Sequence, residues 1–93
     1  MVLRALPPLS KLKVFEEIAR LQSFKLAAEK LHLTQSAISH QIASLERYLG
    51  AALFYRLPGR VALSEKGSIY FPVIKEALEC IELTTDLIRE RQS

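Results

Sequence analysis

Two short helical stripes separated by almost no chain constrain this sequence more than any other feature. Ser23 stands where a helix N-cap is needed, and Phe24, Ala27, Ala28 and Leu31 follow at the spacing of one helix face. Thr34 is placed to cap the next helix, whose stripe is Ile38, Ile42, Leu45 and Leu49 and whose stop is Gly50. The residues from Leu31 to Thr34 leave room only for a tight turn, so the two helices must cross at close range. Ala27 and Ala28 permit that crossing, because interaxial distance follows the bulk of the contact side chains. The turn holds no Gly, and His32 is expected to take the unusual backbone position, since His is enriched at positive φ. A metal-ligand role for His32 lacks a Cys or carboxylate partner at ligand spacing.

The flanks complete the pattern. Ahead of the pair, Ser10 is expected to cap a first helix with the stripe Leu12, Phe15, Ile18 and Ala19, ending near Leu21. Behind it, Leu53 to Arg56 and Val61 to Leu63 read as a hairpin around Pro58-Gly59, with Pro fixing φ and Gly supplying φ > 0 for a type II turn. Arg56 and Arg60 flank its tip; they read either as a basic wing or as solvated arginines on an ordinary hairpin. Ser64 then caps a long fourth helix with Glu65 in its first turn, running to about Arg91, roughly 40 Å at 1.5 Å per residue. Pro72 is expected to kink or divide it.

Within that helix Phe71, Ile74, Leu78, Ile81, Thr85 and Ile88 alternate at three and four residues, the seam of a two-helix packing. Val73, Ala77, Cys80 and Leu87 form a second stripe. Two apolar faces on one terminal helix allow one to pack on the head while the other takes a partner, and homodimerisation is the economical solution. Cys80 is expected as a small buried hydrophobe on the second stripe.

At 93 residues the chain has room for one small domain. The expected fold is mainly α, a winged helix-turn-helix of three helices and a two-stranded wing over residues 1–64, followed by a dimerisation helix over 65–93. Charge is divided unevenly: residues 1–67 hold ten Lys and Arg against five Asp and Glu, and residues 68–93 hold three against five. A basic head suits a polyanion, because each neutralised phosphate releases counterions. A single cysteine excludes a disulfide framework, and neither a secretory signal nor an apolar stretch of spanning length is present, which fits a reducing cytoplasm. No catalytic arrangement, P-loop or Gly-rich phosphate turn stands in the sequence, so no enzyme, cofactor or metal is expected.

DNA reading needs a helix N-terminus with side chains that match base edges and phosphates. The third helix offers Gln35, Ser36, Ser39 and His40 on a face that also carries Ala43 and Arg47. Gln35 can pair bidentately with adenine, the serines can bond bases or phosphates, and His40 can donate to guanine or a backbone oxygen. Amide groups beside Ser23 and Thr34 can receive phosphates at the helix ends. The competing reading is a helical interaction module that pairs through residues 68–93 without reading sequence; salt-sensitive, sequence-selective binding to DNA separates the two.

Over essentially the whole chain these residues resemble the N-terminal domain of LysR-type transcriptional regulators. The resemblance rests on Leu12 and Phe15; Ser23-Phe24 with Ala27-Ala28 and Leu31; the run from Gln35 to Ile42; Leu45-Glu46; Leu49-Gly50; Leu53-Phe54 with Arg56; and Ser64 with Gly67. Leu6-Pro7-Pro8-Leu9 and Thr34-Gln35-Ser36-Ala37 look closest to the branch of glycine-cleavage and β-lactamase regulators. The resemblance implies a dimer joined through the long linker helix, tetramers when full length, and imperfect inverted repeats in bacterial promoters as targets. It implies groove contacts from Gln35, Ser36, Ser39 and His40 and wing contacts from Arg56 and Arg60. It also implies that a small-molecule effector acts only through a C-terminal domain absent from this chain. Gln22, Ser36 and His40 depart from the family's usual Gly, Pro and Arg, so no target sequence is carried over.

Overall fold

The computed structural model describes residues 6–91, so the ends of both expected regions, residues 1–5 and 92–93, lie outside the described residues. The elements are α1 (Leu9–Leu21), α2 (Phe24–Leu31), α3 (Gln35–Leu49), β1 (Phe54–Leu57), β2 (Arg60–Leu63) and α4 (Glu65–Arg91). Their order is that of a winged helix-turn-helix with a long terminal helix.

Local chemistry sets most boundaries. α1 differs from the expectation: Pro8, not Ser10, is its N-cap, and no side chain caps it. The Pro8 carbonyl accepts the Lys11 N–H at 3.0 Å, and a proline loses nothing there because its missing N–H has no helical acceptor. The α1–α2 junction turns at Gln22, in the left-handed region at φ 55°, and Ser23 returns to extended backbone at φ −157°. His32 takes the expected positive φ, 58°. Its N–H donates to Glu29 O at 3.3 Å and the Leu33 N–H to Ala28 O at 2.9 Å, the paired bonds of a Schellman ending achieved without glycine.

Phe15 is fully buried at the centre of the core. Its ring centroid lies 5.5 Å from Phe54 of β1, 5.6 Å from Tyr70 and 6.3 Å from Phe71, both of α4, so one aromatic of α1 joins three elements. Burial, then Tyr48, hold the Tyr70 phenol above its ordinary range. Ile18, Ala27, Ile38, Ile42 and Leu45 fill the rest, as the stripes require. Leu49, the last residue of the α3 stripe, is exposed, because the helix outruns the core in its final turn.

The head does not close at Ser64. Ile74 and Leu78 are buried against the other elements and Phe71 packs beside them, so half of the seam expected between subunits is occupied within the chain. The second stripe is open along its whole length: Val73, Ala77, Cys80 and Leu87 are exposed, which corrects the reading of Cys80 as buried within this chain. The choice between two apolar stripes is made by tertiary packing, which periodicity does not encode. Of the kink or division expected at Pro72, the division does not occur, since α4 runs through it as one helix. The carbonyl it leaves without an N–H belongs to the exposed Ser68, which water can serve.

The junction of α3, wing and α4 is tightly tied. Glu46 of α3 accepts the Leu53 N–H through Oε2 at 2.7 Å. Ser64 donates its hydroxyl to Ala52 O at 2.7 Å and accepts the Gly67 N–H at 3.0 Å, which makes it the N-cap of α4 as expected. Its own N–H donates to Leu53 O at 2.8 Å.

Candidate nucleic-acid interface

Three features that could meet a duplex stem from the ends of α2, α3 and the wing. Thr34 sits in extended backbone, φ −78° and ψ 157°, and its Oγ1 accepts the Ala37 N–H at 3.0 Å. Ser23 caps α2 in the same way, with Oγ accepting the Leu26 N–H at 3.0 Å. Each hydroxyl oxygen is therefore engaged in capping as an acceptor, which leaves its O–H as a donor. Each helix end also offers the remaining N–H groups of its first turn, which have no acceptor within a helix, together with the positive end of the helix dipole.

On α3 the buried set Ile38, Ile42 and Leu45 turns the other side outward. Gln35, Ser36 and His40 are exposed there, Ser39 is half-buried, and Arg47 extends the same face toward the C-terminal end. These side chains are short or neutral near the helix N-terminus, and no ion pair among the described residues involves them. Such a face can approach a base edge closely and offer both donors and acceptors. Gln41, one step off it, has a buried Oε1 without a hydrogen-bond partner.

The wing is a two-stranded antiparallel ribbon in which Leu57 pairs with Arg60 across Pro58-Gly59. Gly59 takes φ 74°, the position a type II turn reserves for a residue without Cβ. Strand alternation places Phe54 and Arg56 on one face, and the two arginines separate accordingly. The Arg56 Cζ lies 4.1 Å from the centroid of the Phe24 ring, while Arg60 stands exposed at the turn. The sequence does not signal the position of Phe24 beneath Arg56, because a phenylalanine on a helix stripe signals only core.

Of the residues expected to form a dimer seam, Ile81, Thr85 and Ile88 remain exposed, and the Thr85 hydroxyl donates to Ile81 O of its own helix at 2.6 Å. Phe71, Ile74 and Leu78 are engaged in the core.

Residues 9–68 match the family model described as "Bacterial regulatory helix-turn-helix protein, lysR family". The chain belongs to the LysR family. Among curated LysR-family relatives, the glycine cleavage system transcriptional activator of Escherichia coli (strain K12) is 44% identical over 90 residues, 97% of this chain and 30% of its own length. The carbapenem-hydrolyzing beta-lactamase transcriptional activator of Enterobacter cloacae is 40% identical over 88 residues, 95% of this chain and 30% of its own. This chain thus spans about 30% of the length of those regulators. Among solved structures, the BenM DNA-binding domain in complex with catB site 1 DNA superposes with a TM-score of 0.84 at 28% identity, covering 92% of this chain and 96% of that one. The oxidized form of Corynebacterium glutamicum OxyR gives a TM-score of 0.84 at 29% identity, covering 92% of this chain and 28% of that one. The family and these relatives are regulators of transcription, not enzymes. Among the described residues no helix is long and apolar enough to cross a membrane.

Proposed function

We propose that this chain is the sequence-specific DNA-binding domain of a bacterial transcriptional regulator, with α3 entering the major groove and the β1–β2 wing lying beside it. The observation that carries this reading is the outer face of α3: Gln35, Ser36 and His40 exposed at a capped helix N-terminus, backed by the fully buried Ile38 and Leu45. Gln35, Ser36, Ser39 and His40 read base edges or adjacent phosphates, the first-turn N–H groups beside Ser23 and Thr34 receive phosphates, and Arg56 and Arg60 supply charge at the wing. The likeness to a LysR-family DNA complex supports the same docking.

The domain works as a homodimer on an imperfect inverted repeat. The exposed Ile81, Thr85 and Ile88, with Val73, Ala77, Cys80 and Leu87 beside them, form a continuous α4 surface that a second copy covers. Pairing matters for reading as well as for stability. A good bidentate contact discriminates by roughly 1–3 kcal/mol per base pair, so a handful of contacts becomes selective when two half-sites are read together. On the family resemblance, effector sensing and tetramer formation fall to a C-terminal domain outside these residues, and the regulator works in the bacterial cytoplasm.

The test is equilibrium binding to a bacterial promoter fragment and to random duplex over a range of salt. The expected result is a steep loss of affinity with salt for both and a clear preference for promoter DNA at moderate salt. Equal affinity for both duplexes, persisting at moderate salt, would contradict it.

A further inference from the structure

We infer that Phe24 is a positioning residue for DNA binding: its ring holds the Arg56 guanidinium, and so the charge of the wing, against the start of α2. The inference rests on the DNA-binding reading above. Arg56 Cζ lies 4.1 Å from the Phe24 ring centroid, well within the range of a cation–π contact. The ring is itself fixed, being nine-tenths buried and meeting Phe54 at 6.0 Å and 64°. Phe54 and Arg56 share a strand face, so β1 presents both side chains to the same ring.

A second contact ties the ribbon to the same place. The Val61 N–H of β2 donates to Gln22 O at 3.3 Å, and Val61 is the cross-strand partner of Arg56. Gln22 turns its carbonyl there from the left-handed conformation that ends α1. The wing is thus anchored on both strands to the α1–α2 junction, beside the cap Ser23. No ion pair among the described residues involves Arg56, so its charge is held in place without being neutralised by a carboxylate. Arg60 has no comparable contact and stays at the exposed turn. The two arginines therefore differ in kind: Arg56 is held on a ring of its own chain, and Arg60 is not.

The test pairs substitutions at Phe24 and Arg56 and uses a random-sequence duplex, since phosphate contacts do not need an operator. Phe24→Trp keeps an aromatic face and Phe24→Leu removes it. Arg56→Ala is expected to weaken binding about threefold or more and to lower the salt slope by about one. In the Phe24→Leu background the same change is expected to cost distinctly less, while in Phe24→Trp it keeps its full effect. Thermal unfolding of each variant establishes that the fold survives, and the ring-current shift of the Arg56 side-chain protons reports the stacking independently of DNA. An equal cost of Arg56→Ala in all three backgrounds, or an unshifted Arg56 signal in the unsubstituted chain, overturns the inference. A chain that binds no duplex at any salt, with the ring-current shift present, overturns the DNA-binding reading and leaves the stacking without that role.

Discussion

Gly67 lies against the backbone carbonyl of Leu53 with no space for a side chain. A Cβ at Gly67 would penetrate the Leu53 carbonyl oxygen and stand 3.1 Å from both Leu53 C and Leu63 Cδ2. The backbone dihedrals are helical, so the requirement is close approach and not an unusual φ. This contact sets the first turn of α4 on the loop that leads from α3 into the wing.

Gly67→Ala reverses an ordinary expectation. In an unencumbered helix the change raises stability by about 1 kcal/mol. Here a backbone carbonyl, which cannot rotate away as a side chain would, must shift, and a loss of about 1–3 kcal/mol is expected. Urea unfolding gives the sign directly; a gain would mean that the junction relaxes freely.

Gln22→Gly acts in the opposite direction. Gln22 ends α1 at φ 55°, which costs a residue with Cβ about 1–2 kcal/mol, partly offset by the greater freedom glycine has when unfolded. A net stabilisation of about 0.5 kcal/mol is expected in the same unfolding measurement. An unchanged or lowered midpoint would show that the Gln22 side chain contributes contacts of its own.

The buried and the exposed apolar residues of α4 separate folding from pairing. Leu78→Ala removes a residue only 8% exposed and is expected to cost about 2–5 kcal/mol of stability. Ile81→Glu combined with Leu87→Glu changes two residues each about half exposed, 49% and 54%, and is expected to leave the head folded while giving monomers. Sedimentation velocity with circular dichroism distinguishes the two outcomes, and an intact dimer in the double variant would place the subunit contact elsewhere.

Much of this organisation is legible in the amino-acid sequence, for a physical reason that differs between elements. Ser23, Thr34, Gly50 and Ser64 mark helix ends because capping is a local hydrogen-bonding problem with few residue solutions. His32 was readable because its turn lacked glycine and still had to reverse. What could not be read depended on two distant segments meeting. Both α4 stripes are apolar, and only the packing of Phe71, Ile74 and Leu78 against the core decides which of their residues the head takes up. The close approach of Gly67 to Leu53 has no local signal, and Arg56 reads as a residue beside the hairpin tip with nothing to mark Phe24 beneath it. At the candidate interface the face of α3 followed from its stripe, whereas the order of the wing did not.

Gln35→Ala isolates base reading from charge. Gln35 is exposed at the first position of α3 and is neutral, so its loss leaves phosphate attraction unchanged. Discrimination at one base position in each half-site is expected to fall by about 1–3 kcal/mol, with affinity for random duplex unaltered. Competition binding with single-base variants checks this. Equal weakening on every sequence would make α3 a phosphate-contacting helix.

If the helix that begins after Thr34 reads DNA as half of a paired device, selecting bound duplexes from a random pool with the unsubstituted chain reveals the pair. The expected product is an inverted repeat whose half-sites lie one helical turn, or a multiple of it, apart. A pool that converges on a single unrepeated site, or on no sequence at all, would contradict it.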